Sequence, residues 1–253
     1  MIKVEPLAFE TNYDYLVRDL ATGTLGVVDL ADGAELTQRF KAQGQTPDFL
    51  FLTHHHHDHV EGLEDFLAAF PQVQVVKPLG ETRISVPALE MGPTDSLLFG
   101  RTSVQALLTH AHTKHCAAYL FDQTHLFVGD ALFRAGCGRL FEGDGPSLEA
   151  AMDRFGSLPP QTLLYFGHEY GLANLKFAAT LEPLNQAIGL AQWELQACLE
   201  QGIPGAPVSL GQELRVNPFL RLDLPGLQQH LNPLGTIPRS EQFLLLRRQR
   251  DKF

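Results

Sequence analysis

Residues 53–59 read Thr-His-His-His-His-Asp-His and follow directly on the apolar run Phe49-Leu50-Phe51-Leu52. Five of the chain's eleven histidines fall within 54–59, so the fold must place a cluster of imidazoles and a carboxylate at one strand end. The run is internal, which separates it from a terminal tag, and a merely solvated polar loop would not account for the aspartate inside it. Clustered His and Asp are what borderline divalent cations use. Three further segments repeat the arrangement. The candidate strand 102–108 runs into Thr109-His110-Ala111-His112, 125–128 into Gly129-Asp130, and 162–166 into Gly167-His168. In open α/β sheets ligands bind beyond the carboxyl ends of the strands, so these four strand ends can converge on one place.

The remaining pattern fits such a sheet. Short apolar strands are predicted over 2–4, 13–17, 26–29, 49–53, 73–76, 102–108, 117–121, 125–128 and 162–166. Leu63, Phe66, Leu67 and Phe70 recur at helical spacing before Pro71. A second helix is predicted over 148–155 between Ser147 as N-cap and Gly156, and a third over 34–43 before Gly44. Strands interleaved with helices imply mixed sheets covered by helices, an α/β layered sandwich. After about Tyr170 the chain turns Ala/Leu/Gln-rich, breaks at Pro183, passes a Gly/Pro loop over 202–211 and ends in a helix over 240–252. The expected division is a metal-binding domain, 1–172, and a smaller helical domain, 173–253. A chain of 253 residues is long enough for both.

Charge narrows the partners. Nineteen Lys and Arg against 29 Asp and Glu leave −10 at pH 7, which argues against nucleic acid and anionic membranes, since both demand a basic footprint. No apolar run reaches the length of a membrane span, and the first ten residues carry Lys3 and Glu5 rather than the apolar core of a signal peptide. Three scattered cysteines make neither a disulfide framework nor a thiolate zinc site. The expectation is a monomer in a reducing compartment, the cytoplasm.

Spacing suggests how the ligands divide. His54 and His56 lie two apart and can face one metal, while Asp58 and His59 face a second. His112 would complete the first set and His168 the second, with the two oxygens of Asp130 bridging them. Each ion then keeps a position open for water, the mark of a catalytic site. His55 and His57 are expected to point away, His115 to support the site from behind, and His110, His125 and His230 to be structural. Cys137 is expected to be a small buried residue rather than a redox centre.

The segment THHHHDH at 53–59 resembles the T-H-x-H-x-D-H motif of the metallo-β-lactamase superfamily, and His112, Asp130 and His168 match its remaining ligands. The resemblance implies a four-layer αβ/βα sandwich with two metals at one sheet edge and a smaller C-terminal α-helical domain. FVGDALFRAGCGRLFEG at 127–143, FGHEYGLANLKFA at 166–178, VNPFLR at 216–221 and RRQRDKF at 247–253 narrow it to the glyoxalase II family over essentially the whole chain. That family implies hydrolysis of S-D-lactoylglutathione to glutathione and D-lactate, completing methylglyoxal detoxification. It also implies two divalent ions, Zn²⁺ by first expectation with Fe or Mn acceptable to the same donors. A metal-bridging hydroxide would attack, with Asp58 able to hydrogen-bond it. A leaving thiolate whose conjugate acid has a pKa of about 8.5 needs no strong general acid.

By the same resemblance the glutathione pocket uses Arg139, Phe141, Tyr170, Arg247 and Arg250, and residues 239–253 are locally basic, with five Lys/Arg against two Asp/Glu. Arg247 is expected to bind a distant carboxylate, so its loss should raise KM more than it lowers kcat. Phe141 lacks the hydroxyl relatives often carry there, and Lys114 stands where glycine is usual before His115. Arg139 and Arg250 replace lysines with planar guanidinium forks. The competing reading, a mononuclear-iron glutathione persulfide dioxygenase of the same superfamily, needs fewer ligands and leaves Asp58, His59 and His168 without a task.

Overall fold

Burial patterns dictate the strands. The computed structural model describes residues 1–253, and packing divides them into two units: 1–108 with 115–129, and 109–114 with 130–253. In the first unit, β1 (Ile2–Phe9), β2 (Asn12–Asp19), β3 (Leu25–Val28), β4 (Phe49–Phe51), β5 (Gln74–Pro78) and β6 (Leu89–Met91) lie side by side in that order. β1 to β3 run antiparallel, and β3 to β6 are parallel. Parallel neighbours need crossovers, which α1 (Gly33–Ala42) and α2 (Leu63–Ala69) provide. Leu36 and Phe40 of α1, with Phe66 of α2 and Phe70, bury against Val27, Leu50, Leu52 and Val75.

Four more strands of this unit, β7 (Ser96–Phe99), β8 (Thr102–Leu108), β9 (Ala117–Phe121) and β10 (His125–Gly129), pair antiparallel in the order β10-β9-β8-β7. β8 alternates buried and half-buried residues, whereas β9 is buried throughout, as its unbroken Ala-Ala-Tyr-Leu-Phe sequence requires. Aromatic rings knit the two sheets together. Phe51 meets Tyr119 at 5.3 Å, Phe121 at 5.1 Å and Phe99 at 6.1 Å between ring centres. Phe127 lies edge-on to Tyr15 at 5.4 Å. The buried Tyr119 hydroxyl donates to Leu52 O at 2.9 Å, which satisfies it.

The second unit holds α3 (Gly145–Gly156), β11 (Leu163–Phe166), α4 (Gly171–Leu181), α5 (Gln186–Glu200), β12 (Val208–Ser209), α6 (Leu210–Val216), α7 (Pro225–Leu231) and α8 (Arg239–Lys252). Leu175, Ala178, Ile188, Ala191, Leu195 and Val216 form its helical core. α3 packs on α8 so closely that a Cβ on Gly145 would stand 2.5 Å from Ser240 O. Arg239 of α8 reaches Glu149 at 3.0 Å and Asp153 at 2.9 Å on α3, and Asp223 at 3.1 Å. These contacts explain why this unit takes in 130–172 as well as the helical segment 173–253.

A mixed sheet, an antiparallel one, flanking helices and a helical C-terminal region make the α/β sandwich expected from the sequence. Several details differ. Asp144, not Ser147, caps α3, its carboxylate accepting from Ser147 N at 2.8 Å. The Gly/Pro stretch 202–211 contains β12 and the start of α6, whose capping box pairs Ser209 with Gln212. β6 and β7 escaped notice because each is short and half exposed. Phe51→Ala should cost about 3–5 kcal/mol, read as a lowered urea midpoint with the slope unchanged.

Candidate metal centre

In the first unit the centre starts from Asp29, just beyond β3, in a left-handed conformation (φ 60°) that Asp tolerates better than most residues. Its buried carboxylate accepts from Thr53 N at 2.7 Å, Thr53 Oγ1 at 2.8 Å and His59 Nδ1 at 2.9 Å. With the Thr53 hydroxyl hydrogen spent on Asp29, its oxygen accepts from His54 Nδ1 at 3.0 Å. Both rings are thereby held in the tautomer that leaves Nε2 as a lone-pair donor. Residues 57–59 form one 3-10 turn. His54 and His59 are buried and their ring centres are 4.2 Å apart, while Asp58 is half-buried and holds Asn12 Nδ2 at 3.1 Å. Gly129 gives this loop room, since a Cβ there would meet Thr53 Oγ1 at 2.6 Å.

The neighbours in the run do point elsewhere. His57 is exposed near Glu61, and His55 Nδ1 lies 3.3 Å from Glu81 Oε2. Burial works against the Glu81 charge, but the guanidinium and backbone N–H of Arg83 hold its carboxyl below the usual range. His115 packs on Gly80, whose Cβ would touch the ring at 3.0 Å.

The second unit carries the other three candidates, all buried. His112 Nδ1 donates to Arg139 O at 2.8 Å, which again leaves Nε2 as the donor atom. That Nε2 lies 3.4 Å from Asp130 Oδ2, and His168 Nε2 lies 3.3 Å from the same oxygen. Tyr170 stacks flat on His168 at 4.7 Å and 7°. The Gly-Cys-Gly-Arg turn is glycine-rich for a steric reason: a Cβ on Gly138 would lie 1.9 Å from Asp130 O and 2.9 Å from His112 Nδ1.

These separations can be tested against a metal shell. Metal–nitrogen bonds of about 2.0–2.1 Å in a tetrahedron place neighbouring donors roughly 3.3 Å apart. His54 Nε2 and His56 Nδ1 are 3.1 Å apart, and the two histidine–Asp130 distances are 3.4 and 3.3 Å. Asp58 Oδ2 and His59 Nε2, at 3.9 Å, are looser but on one side of the turn. The donor chemistry fits, and the His/Asp clusters suit a binuclear site (His54, His56, Asp58, His59; His112, Asp130, His168).

The expected substrate contacts separate into two groups. Tyr170 and Arg250 line a cavity of about 400 Å³ with Lys176, Leu172 and Phe253, and Arg250 Nε donates to Asn174 Oδ1 at 2.8 Å. Lys176, a second cation in that cavity, was not singled out from the sequence. Phe141 is exposed and lies edge-on to His112 at 5.3 Å. The Arg139 side chain is exposed and pairs with Asp251 at 3.4 Å. Arg247 differs, being buried, with Nη1 donating to Cys137 O and Nη2 to Asp251 Oδ1. His110 Nδ1 bonds Lys114 O, His230 bonds Gln249, and His125 is partly buried at the start of β10; none lies in either ligand cluster.

The metallo-β-lactamase superfamily model matches residues 12–168, and the hydroxyacylglutathione hydrolase C-terminus model matches 169–253. Hydroxyacylglutathione hydrolase of Bartonella henselae is 35% identical over 96% of this chain and 96% of its own length. That of Chromohalobacter salexigens is 34% identical over the full length of both. The chain belongs to the hydroxyacylglutathione hydrolase family. Among solved structures, ETHE1 from Myxococcus xanthus matches with a TM-score of 0.67 at 22% identity, covering 99% of this chain and all of that one. TTHA1623, in a di-iron-bound form, matches with a TM-score of 0.61 at 24% identity, covering 86% of this chain and all of that one. Both likenesses speak for the fold.

Asp29 and Thr53 are the supporting residues that sequence reasoning passed over in this family member. The signal was present, since the predicted strand 26–29 also ends on an acid. Asp29→Ala should weaken metal affinity by about 10–100-fold, measured by chelator competition. Burial pushes the Cys137 thiol up to about 11, so it stays a thiol in the fold. Iodoacetamide at pH 8 should therefore label Cys137 only after unfolding, as read by peptide mass spectrometry. Its raised folded pKa favours the native state below the unfolded value of about 9, and that contribution should fade as pH climbs towards 11.

Proposed function

We propose that the protein is a binuclear metal-dependent thioester hydrolase that converts S-D-lactoylglutathione and water to glutathione and D-lactate, the second step of methylglyoxal detoxification. The observation that carries this reading is the C-terminal match over 169–253, which contributes Tyr170 and Arg250, beside His/Asp clusters that could hold divalent ions. One ion would be held by His54, His56 and His112, the other by Asp58, His59 and His168, with Asp130 between them. Zn²⁺ is the first choice for such donors, and iron remains chemically suited. A structural neighbour described as di-iron-bound supports that latitude.

When bound, the cations lower the pKa of a water to about 7 and polarise the thioester carbonyl. The chain's own groups do the rest. Asp29 and Arg139 O fix the tautomers of His59 and His112, so that Nε2 would be the atom each ring offers to a metal. Asp58, held by Asn12, can take a hydrogen bond from the attacking water. Tyr170, Arg250 and Lys176 offer the glutathione moiety a ring face and two cations in an otherwise acidic protein, with Arg139 and Phe141 exposed to meet its remainder. Residues 1–172 would carry the chemistry and 173–253 most of the thiol-side binding. No helix is long and apolar enough to cross a membrane, and the thiol of the product suits a reducing cytoplasm. We expect the monomer to be the working unit.

The persulfide dioxygenase reading would leave Asp58, His59 and His168 idle, and the relatives at about 35% identity over nearly the whole chain are described as hydroxyacylglutathione hydrolases. Purified protein should hydrolyse S-D-lactoylglutathione, followed by loss of the thioester absorbance at about two metal equivalents. Exhaustive chelation should reduce the rate by at least about 10³-fold, given what the metals supply, and Zn²⁺ should restore it. Inactivity of the two-metal protein would refute the assignment.

A further inference from the structure

Four histidines stand in a row at 54–57, and only His54 and His56 of these enter the ligand clusters. Something must therefore decide which rings turn inward. Asp29 grips the run at Thr53 and at His59. Between those points the run meets a second buried carboxylate. Glu81, fully buried on the connection between β5 and β6, places Oε2 3.3 Å from His55 Nδ1. The His55 side chain is itself only 16% exposed.

The Glu81 carboxylate is held in turn. Its Oε1 accepts from Arg83 N at 2.7 Å and Nε at 3.0 Å, and its Oε2 from Nη2 at 2.9 Å. An ionised carboxylate has room for about four donors, so Oε2 can also face the His55 ring. The connection that carries it is tied down on either side. Glu81 N donates to Pro78 O at 3.1 Å, Gly80 N to Glu90 Oε2 at 3.0 Å and Lys77 Nζ to Ile84 O at 3.0 Å. The acceptor beside His55 is a fixed point of the first unit.

Fixing His55 constrains the rings on both sides of it. The backbone at His56 is extended (φ −60°, ψ 145°), and in extended chain alternate side chains share a face. With the ring of 55 held at Glu81, those of 54 and 56 turn the other way together, and His54 Nε2 and His56 Nδ1 come to 3.1 Å. The His55 ring also meets that of His56 edge-on at 4.8 Å and 63°.

We infer that Glu81 is a positioning residue for the His54–His56 pair, acting through His55. This rests on the two-metal reading above. Without the carboxylate, His55 loses its anchor and both neighbours gain freedom to rotate with the 54–56 backbone. Contacts of this supporting kind usually change metal affinity by about 10–100-fold. Arg83 is 39% exposed, so its guanidinium can turn to water when Glu81 is replaced.

The test compares full-length wild type, Glu81→Gln, Glu81→Leu, His55→Leu and the double variant Glu81→Leu/His55→Leu, each loaded with Zn²⁺ or Co²⁺. Glu81→Leu and His55→Leu should each weaken one of the two ions about 10–100-fold by chelator competition, with a changed Co²⁺ ligand-field spectrum. The double variant should bind no more weakly than the worse single variant, because the two residues act as one pair. Glu81→Gln, which keeps an acceptor oxygen, should retain most of the affinity. In Glu81→Leu the kcat should fall about tenfold while KM for S-D-lactoylglutathione moves less than about threefold, the split expected when ground-state binding is intact. Unchanged metal affinities in Glu81→Leu would overturn the inference, as would losses that multiply in the double variant. If Glu81→Leu does not fold, His55→Leu, which leaves Glu81 bonded to Arg83, carries the test; unchanged affinity there also overturns it. Wild-type protein that neither binds two ions nor hydrolyses the thioester would instead sink the proposed function itself.

Discussion

The carboxylate of Asp29 is the interaction on which the histidine run depends. A chain that places five histidines and an aspartate within one loop has many ways to arrange them, and most leave imidazole nitrogens facing each other as donors. Three hydrogen bonds to Asp29 remove that freedom. They fix the backbone at Thr53, the ring of His59 directly, and the ring of His54 through the Thr53 hydroxyl. Burial makes each bond count, because no water competes for the acceptor. The close approach of Gly129 to Thr53 follows from the same constraint.

The second unit solves the same problem with backbone in place of a carboxylate. The turn over 133–139 is held by Glu213, whose buried carboxylate takes Ala135 N at 2.7 Å and Arg134 Nη1 at 3.1 Å. Burial raises the Glu213 pKa, and Arg134 opposes that rise. Asn217 adds bonds to Phe133 O and Gly136 O, and Asn174 Nδ2 adds one to Arg134 O. Thus α4, α6 and α8 each contribute a polar side chain to one turn, and that turn presents a carbonyl to His112. The helical segment 173–253 is thus built into the scaffold that orients the His112 ring.

The candidate ligands were legible because metal chemistry restricts them to few residue types, placed at strand ends where period-two patterns stop. Alternation in a tight loop separates His54 and His56 from His55 and His57, whereas His59, of the same parity as His55, owes its inward position to the 3-10 turn over 57–59. The sandwich was legible from unbroken apolar strands such as 117–121. What escaped was held by geometry that leaves little trace in composition. Asp144 rather than Ser147 caps α3, because both are good caps and only the chain's entry angle decides between them. Strands β6 and β7 are short and half exposed, so neither alternation nor hydrophobicity announces them.

Arg247 shows the limit most clearly. In the sequence it is one of five cations in a basic tail, and charge alone makes every one of them a candidate for an anionic substrate. Position on the helix separates them. Arg247 falls on the face of α8 that carries the buried Phe243 and Leu246, so its guanidinium must find acceptors inside the protein. Arg250, three residues on, lines the cavity beside Tyr170. Two arginines of like charge in one motif therefore sit differently: Arg247 is buried and bonded to Cys137 O and Asp251, and Arg250 lines the cavity. A basic cluster at the end of a family domain need not be a single binding surface. Its members divide according to which face of the helix the core has already claimed.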